Sequence, residues 1–296
     1  MAAFDSVEQA RVLQFRANVV QLYQQKPSRL RGTVREETLT GKAHFFERLD
    51  LVAAVKKTTR HADTVLLDPA HTRRMVVPAD YVWNALVDQQ DKIRMLIDAN
   101  SEYAIAAANA LHRAYDDEII LAFDGTANTT EDGSVAVTFA SDTPGGDEDF
   151  SSAAISTPNI LKVKKDLDLG EVDPDERYIV YMPNVMSQLL SASTAPQASS
   201  ADYNTLKALV GGAVETWCGF KWIMSYRLST PTANNYYGYA WQKNAMGIAV
   251  AKEITARLSE RPDKDYAVQT YACGTWGATR IQGPGVVRFK ISTTNG

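Results

Sequence analysis

Two cysteines and four histidines are the side chains of this sequence that could supply a nucleophile or a general base. Cys218 and Cys273 stand in the apolar and aromatic contexts ETWCGF and TYACGT. A catalytic thiol needs an electropositive, partly exposed environment that lowers its pKa. These contexts favour inert, buried thiols, and a hydrolase with a Cys–His pair is an alternative that rapid alkylation of the native protein would support. The histidines are His44, His61, His71 and His112.

A short polar stretch collects residues of the types that bind metals, namely His61, Asp63, Asp68 and His71. Their spacing matches no standard zinc or calcium pattern, and a polar turn explains them more simply. The chain has no G-x-x-x-x-G-K-[ST] or G-x-G-x-x-G phosphate loop and no G-x-S-x-G nucleophile turn. The sequence therefore predicts no catalytic residue, no metal site and no cofactor.

Composition places the chain among ordinary globular proteins. It has 296 residues, of which 45% are hydrophobic and 22% charged, so extensive disorder is excluded. The net charge of −4 argues against a protein that coats nucleic acid with its whole surface. Two cysteines are too few for a disulfide-dense scaffold, and no apolar run reaches the roughly 20 residues of a membrane helix. No signal peptide is expected at the N-terminus.

Helical periodicity is clearest over residues 98–123, where apolar and polar residues occupy opposite faces. Ser101 is the predicted N-cap, Asp124 and Gly125 mark the predicted end, and the helix would span roughly 33 Å. The predicted apolar face contains Ala104, Ala107, Ala108, Leu111, Tyr115, Ile119 and Ala122, and the predicted solvent face contains Glu102, Asn109, Arg113, Asp116 and Asp117. A helix of this length can organise a domain.

Residues 26–80 are predicted to form a long basic hairpin. Extended chain is predicted near 43–55 and again near 72–78. An isolated hairpin is at best marginally stable in water, so this one needs a surface that the main domain does not obviously supply. Its basic residues could bind nucleic acid or the acidic segments 142–149 and 166–176 of a neighbouring copy. The segregation of opposite charges favours the neighbouring copy.

The rest of the chain mixes helical and strand patterns, which predicts an α+β fold with the second half as a separate lobe. Helices are predicted over 4–25, 88–97, 158–169 and 185–190, with a short helical piece near 241–246. For the third of these, Thr157 is the predicted N-cap, Pro158 the first helical residue, and Gly170 lies just past the end. Strands are predicted over 135–139, 178–182, 254–258, 266–272 and 286–291, with a turn at 261–264 and an exposed loop over 191–202.

Three segments of the chain stand out by their order. They are the long ADYVWNALVDQQDKIRMLIDANSEYAIAAANALHRAYDDEIILAFDGTA, the strand–proline–helix piece RYIVYMPNVMSQLL, and the ending GATRIQGPGVVRF. In this order they resemble the major capsid proteins of tailed bacteriophages. The resemblance covers most of residues 25–292, and it lies in the order of the segments rather than in any one motif.

The resemblance implies the Hong Kong 97 (HK97) capsid fold. By position it implies an N-terminal arm over residues 1–40 and an extended loop over 41–79 that overlaps a neighbouring subunit. It further implies a peripheral domain with a spine helix over 80–125 and 252–296, and an axial domain over 126–251. The hairpin without a core of its own would then gain one from the neighbour.

The family implies a function as well. The chain would assemble with itself as hexamers and pentamers into an icosahedral phage head around double-stranded DNA. Its location would be the virion capsid, assembled in the cytoplasm of the host bacterium. The expected partners are a separate scaffolding protein, a portal, cement proteins and non-specifically packaged DNA, with no membrane. An encapsulin-like compartment shell is the alternative.

Ten charged residues are the candidates for contacts between subunits. They are Arg29, Arg31, Arg35, Lys56, Lys57, Arg60, Arg73, Arg74, Asp116 and Asp117. Some relatives join subunits through a Lys–Asn isopeptide bond. Lys56 and Lys57 lie in the appropriate loop, but no partner asparagine or catalytic glutamate can be matched, so no cross-link is predicted.

Overall fold

A computed structural model describes residues 25–61, 63–64, 66–88, 99–193, 208, 211, 215–231 and 234–292. The predicted helix over residues 4–25 lies outside this part of the chain apart from residue 25, and the one over 88–97 lies outside it apart from residue 88. Most of the predicted loop over 191–202 also lies outside it. Within the described residues strands and helices mix along the chain, which confirms the predicted α+β class.

The strands are β1 (Arg35–Thr38), β2 (His44–Leu49), β3 (His71–Val76), β4 (Ala79–Val87), β5 (Ala127–Thr129), β6 (Val135–Val137), β7 (Asp147–Phe150), β8 (Arg177–Tyr181), β9 (Thr216–Trp217), β10 (Phe220–Met224), β11 (Asn235–Gln242), β12 (Met246–Arg261), β13 (Ala267–Arg280) and β14 (Val286–Ser292). The helices are α1 (Ala99–Asp124), α2 (Phe139–Asp142), α3 (Thr157–Leu169) and α4 (Pro183–Ser193), with 3-10 turns at Lys243–Ala245, Pro262–Lys264 and Gly283–Gly285.

Three sheets organise these strands. One has the order β1-β12-β13-β4, a second has the order β7-β14-β11-β8-β10-β9, and the third has the order β2-β3-β5-β6. The described chain divides into two compact units. Of the described residues, the smaller unit contains 25–27, 81–88, 99–113 and 253–274, and the larger contains those within 28–80, 114–252 and 275–292.

The smaller unit contains the predicted turn between two long strands. The chain turns at Pro262–Lys264 between β12 and β13, as the sequence predicts. Arg261 stabilises this turn, because its guanidinium donates to Asp263 at 2.7 Å and 2.8 Å and to Gln269 at 3.0 Å. In the same unit, the Thr255 hydroxyl lies 3.4 Å from the Cys273 sulfur.

The larger unit has its main core on the six-stranded sheet. All five residues of β8 are buried, as expected for an apolar strand at the centre of a sheet. The buried face of α3 packs against this sheet together with α4, and proline lies in the first turn of α3 as predicted. The core contains Phe150, Ile155, Ile160, Val163, Leu167, Ile179, Tyr181, Val185, Met186, Leu189, Trp217, Phe220, Tyr236, Ala240, Val287, Phe289 and Ile291.

The long helix α1 confirms the clearest sequence pattern. It ends at Asp124, and the amide of Gly125 donates to the carbonyl of Leu121 at 3.0 Å. A side chain at position 125 would bring a Cβ within 2.6 Å of that carbonyl oxygen, so the stop requires glycine. Phe123 stacks on Tyr239 of β11 in the six-stranded sheet, with ring centroids 4.8 Å apart.

Some predicted details are wrong. Asn109 and Asp116, assigned to the solvent face of α1, are buried. Ser101 is not an N-cap, since α1 already includes Ala99. The strand predicted to reach residue 139 ends at residue 137, because the buried Phe139 begins α2. The N-cap of α3 is Ser156, so its predicted start is displaced by one residue.

A close contact at Gly247 gives a first stability prediction. A Cβ at this position would lie 2.6 Å from Phe46 Cζ and 2.7 Å from Ile281 Cδ1, so Gly247→Ala overpacks the core under the hairpin. We expect a loss of about 1–3 kcal/mol in the free energy of unfolding, measured by urea denaturation. Phe46→Leu shortens one of the two clashing side chains and serves as the control. The double variant should lose less than the sum of the single losses, and simple additivity would contradict the clash.

Candidate interaction surface

The basic hairpin forms, and its stem is anchored. β2 and β3 pair antiparallel from His44 opposite Val76 to Leu49 opposite His71. Phe46 and Val76 are buried in a small core with Leu39, Ala249 and Ile281. The expectation that the main domain supplies no surface is therefore wrong for the stem, because the larger unit covers one of its faces.

The end of the hairpin is different. We call residues 50–70 the distal loop; the amide of Asp50 closes it by donating to the carbonyl of Ala70 at 3.0 Å. Its described residues form no helix or strand, and all except Pro69 are exposed. The side chains of Leu51 and Leu66 are 92% and 91% exposed, and further exposed apolar residues are Leu49, Val52, Val55 and Leu67. A patch of this kind marks an interaction surface.

The distal loop also carries basic residues without partners. Lys56, Lys57 and Arg60 are exposed and make no hydrogen bond or ion pair with any residue in the described part of the chain. Loss of these charges would therefore break no contact in the part of the subunit that the structure describes. Apolar and basic side chains thus project together from one loop.

The other basic candidates bind within the subunit. Arg31 pairs with Glu36 at 2.8 Å and Arg73 pairs with Glu47 at 3.0 Å. Arg35 pairs with Glu37, and the Arg29 guanidinium donates to the carbonyl of Met224. All of these pairs are partly exposed and contribute little to stability. These contacts within the subunit therefore engage the four arginines that the sequence analysis assigned to contacts with a neighbouring subunit.

Two of the ten candidates are buried in their own subunit. The Arg74 side chain is 2% exposed and binds Asp142. Asp116 accepts hydrogen bonds from the Ser28 hydroxyl at 2.5 Å and from the amides of Arg29 and Leu30 at 3.0 and 3.2 Å. These positions are not available to a second copy in this conformation. Asp117, by contrast, is partly exposed and binds Arg227 through both carboxylate oxygens.

The acidic segments expected to meet a neighbour's basic hairpin are largely paired within the chain. Three of the partners, Arg288, Lys290 and Lys243, are more than 60 residues away in sequence, where no local pattern reveals them, and the other two lie within 14 residues. The pairs are Asp147–Arg288 at 2.6 Å, Glu148–Lys162 at 2.5 Å, Asp149–Lys290 at 3.3 Å, Asp168–Arg177 at 2.6 Å and Glu176–Lys243 at 2.9 Å. Simple pairing of acidic and basic segments between copies is therefore not supported.

The residues considered for chemistry are dispersed. Cys273 is buried, Cys218 is partly buried, and neither forms a disulfide. His61 and His71 are exposed near the hairpin end. Across the described ranges no three His, Cys, Asp or Glu side chains cluster as metal ligands would. Of the helices in these ranges, none combines the length and apolar character needed to cross a bilayer.

A cleft of about 260 Å³ lies between the loop after α2, the end of α3 and the residues before β14. Asp166 borders it, and one of its carboxylate oxygens is buried without a hydrogen-bond partner in the described chain. Burial and the neighbouring Glu148 carboxylate raise the pKa of Asp166 above its ordinary value of 3.8. One carboxyl group beside a small cleft offers no arrangement for acid–base catalysis.

The raised pKa of Asp166 predicts the pH dependence of a substitution. A carboxyl group whose pKa is raised by folding costs stability when ionised, and the cost vanishes as the pH falls below about 3.8. Asp166→Asn should therefore stabilise the subunit at pH 7, by less than about 1 kcal/mol because solvent screens the site, and change nothing near pH 3. Urea denaturation at both pH values tests this. Asp168→Asn, which removes the partner of buried Arg177, should have the opposite sign at pH 7. A loss of stability in both variants would contradict the prediction.

The chain is similar to known proteins both in sequence and in fold. The family model described as phage capsid protein matches residues 7–293 of the chain. No curated protein sequence matches it significantly.

Solved capsids share the fold. The capsid of cyanophage P-SCSP1u superposes with a TM-score of 0.70 at 13% identity, covering 97% of this chain and 95% of that one. The capsid of cyanophage Pam1 gives 0.72 at 12% identity over 100% of both chains. The capsid of a native GTA particle gives 0.71 at 13% identity, covering 98% and 99%. These likenesses confirm the capsid fold predicted from the resemblance.

Proposed function

The chain belongs to the phage capsid protein family, and on this premise we propose that it is the major capsid protein of a tailed phage. Hexamers and pentamers of the chain build an icosahedral head around double-stranded DNA. The observation that carries the proposal is the family match, which spans residues 7–293. The distal loop supports it, because exposed apolar and unpaired basic side chains on one projection are what a self-assembling subunit requires.

The mechanism of assembly follows from the hairpin. Its stem is fixed to the subunit through Phe46 and Val76, while the distal loop lies beyond this core. Burying Leu51 and Leu66 on a neighbouring copy would contribute about 1.5–3 kcal/mol each. The loop of one subunit and the receiving surface of the next differ, so the contact is heterologous and closes into a ring. Such rings are the hexamers and pentamers of the shell.

Regions of the chain take the following roles in this proposal. Residues 1–40 form the N-terminal arm, and residues 41–79 form the extended loop. Residues 80–125 and 252–296 form the peripheral domain, whose spine helix is α1. Residues 126–251 form the axial domain, whose sheet and helices surround the centre of each ring. Most of the core on the six-stranded sheet comes from this range, and β14 from the C-terminal range completes that sheet and core.

Because the chain associates with itself into a capsid, it is located in the capsid of the virion. We further propose assembly in the host cytoplasm with a separate scaffolding protein, a portal and cement proteins. The DNA contact is non-specific, made by basic side chains on the inner face, and weakens as salt concentration rises. The family match gives no support to an encapsulin-like compartment over a phage head.

Electron microscopy of the purified chain after size-exclusion chromatography tests the proposal. Rings or closed shells are expected, either from the chain alone or after co-expression with the scaffolding protein. A monomer under both conditions would contradict self-assembly and would favour the alternative of a hydrolase that uses Cys218 or Cys273. Shells isolated from phage-producing cells should contain DNA, and shells filled with a cargo enzyme instead would identify a compartment.

A further inference from the structure

A buried cluster of charge lies where the hairpin stem meets the rest of the larger unit. Arg74 of β3 and Arg280 of β13 both bind the carboxylate of Asp142, the last residue of α2. The Arg280 Nε lies 2.8 Å from Asp142 Oδ2, and Arg74 binds the other carboxylate oxygen. The two arginine side chains are 2% and 0% exposed. Two buried cations therefore share one carboxylate.

A third arginine adds to the excess of positive charge in this cluster. Arg48 of β2 is half-buried; its guanidinium donates to the Thr72 hydroxyl at 3.1 Å and to the carbonyl of Ile281 at 3.0 Å. Burial and the charge of Arg74 lower its pKa, which indicates that the two guanidinium groups repel each other. The exposed Asp50, near Thr72, offsets this only in part. The cluster has net positive charge with Asp142 as its buried anion.

Three guanidinium nitrogens of this cluster have no acceptor among the described residues. Nε and Nη1 of Arg74 and Nη2 of Arg280 are buried and make no hydrogen bond within the described chain. Arginine carries five N–H donors and cannot lose its charge in a protein. Leaving charged donors unsatisfied in the interior costs several kcal/mol per ion. The remaining Arg280 donors are used, because Nη1 donates to the carbonyls of Phe123 and Gly125 at 2.8 and 3.1 Å.

We propose that a small inorganic anion of the size of chloride binds between Arg48, Arg74 and Arg280. It accepts the unsatisfied guanidinium hydrogens and balances the second buried cation. The burial of the donor atoms favours a halide over a larger anion. Arg48 and Arg74 belong to the hairpin, and Arg280 and Asp142 do not, so a bound anion ties the stem of the hairpin to the body of the subunit. This site is independent of the proposed capsid function.

Thermal unfolding of the purified full-length chain tests the site. Chloride replaces gluconate at constant sodium concentration, because gluconate is too large to reach buried donors. The melting temperature should rise with the logarithm of the chloride concentration above the dissociation constant, by about 2–4 °C at ten times that constant. Bromide should act in the same way, and its anomalous scattering in crystals should locate the ion beside Arg74 and Arg280.

Matched variants separate binding from general salt effects. Arg48→Met removes one charge and should raise about tenfold the chloride concentration at which the melting temperature begins to rise. Arg73→Met, an exposed arginine on the opposite face of the same strand, should leave that concentration unchanged. Asp142→Asn removes the competing carboxylate and should enlarge the chloride effect. A flat chloride dependence means that water fills the site, and a rise that begins at the same chloride concentration in the parent chain and Arg48→Met means a general salt effect. Either result overturns the proposal.

Discussion

Replacing Lys56, Lys57 and Arg60 together by glutamate should abolish shell assembly without unfolding the subunit. The three side chains are exposed on the distal loop and bind nothing in the described part of their own chain. Their reversal therefore removes no contact in the described part of the chain, whereas a surface that receives three cations repels three carboxylates, and repulsion across an interface costs several kcal/mol. Each 1.4 kcal/mol changes the association constant tenfold. Light scattering and electron microscopy should detect no shells at concentrations where the parent chain assembles completely.

Two further variants show whether charge on this loop is the cause. Substituting the same three residues by glutamine should weaken assembly less than glutamate, because neutral side chains do not repel. Reversing three exposed lysines outside the loop, Lys42, Lys165 and Lys264, makes the same change in net charge and should leave assembly largely intact. Equal loss in this control would mean that net charge decides assembly. Denaturant unfolding of the loop variant must match that of the parent chain; a large loss of stability would place the loop in the core.

Local patterns in the sequence were sufficient for most of the fold. α1 shows helical periodicity over many turns, and β8 is a short apolar run between a turn and a proline. The pair β12 and β13 alternates on either side of an Arg-Pro-Asp-Lys turn. In each case the residues that determine the element lie within it, so periodicity and turn chemistry suffice. The resemblance to capsid proteins depends on the order of such elements along the chain, and the family match and the solved capsids confirm the fold.

The candidate site was predictable in position but not in detail. The distal loop is expected to lie away from the core. Its described residues apart from Pro69 are exposed, because none of them pairs with a strand that would cover its apolar side chains. The charge of a residue did not predict whether its side chain is exposed. Asp116 has the sequence context of a solvent-exposed carboxylate, yet it is buried because it binds the amides of Arg29 and Leu30, over 80 residues away. Composition counts such charges but does not show which of them pair across the fold.

Arg74 illustrates the same limit and leads to the second large effect. It follows exposed Arg73 in one strand, so the alternation of strand side chains places it on the inner face. The sequence offers no sign that Asp142 and Arg280, separated by 138 residues, meet it there. The stem of the hairpin is thus held by a core contact through Phe46 and by a buried ion cluster.

Asp142→Asn should lower the free energy of unfolding of the unassembled subunit by about 3–5 kcal/mol. The substitution keeps the shape of the side chain but removes the carboxylate that Arg74 and Arg280 share, and a neutral amide accepts only weakly from two guanidinium groups. Urea denaturation measures the loss. Asp263→Asn, which breaks the exposed pair with Arg261, is the matched control and should cost at most about 1 kcal/mol. Replacing Arg74, Asp142 and Arg280 together by apolar residues of similar volume should recover much of the loss, because no buried charge then remains. Equal losses for Asp142→Asn and Asp263→Asn would show that the cluster is hydrated rather than buried, and the hairpin stem would then depend on its apolar contacts alone.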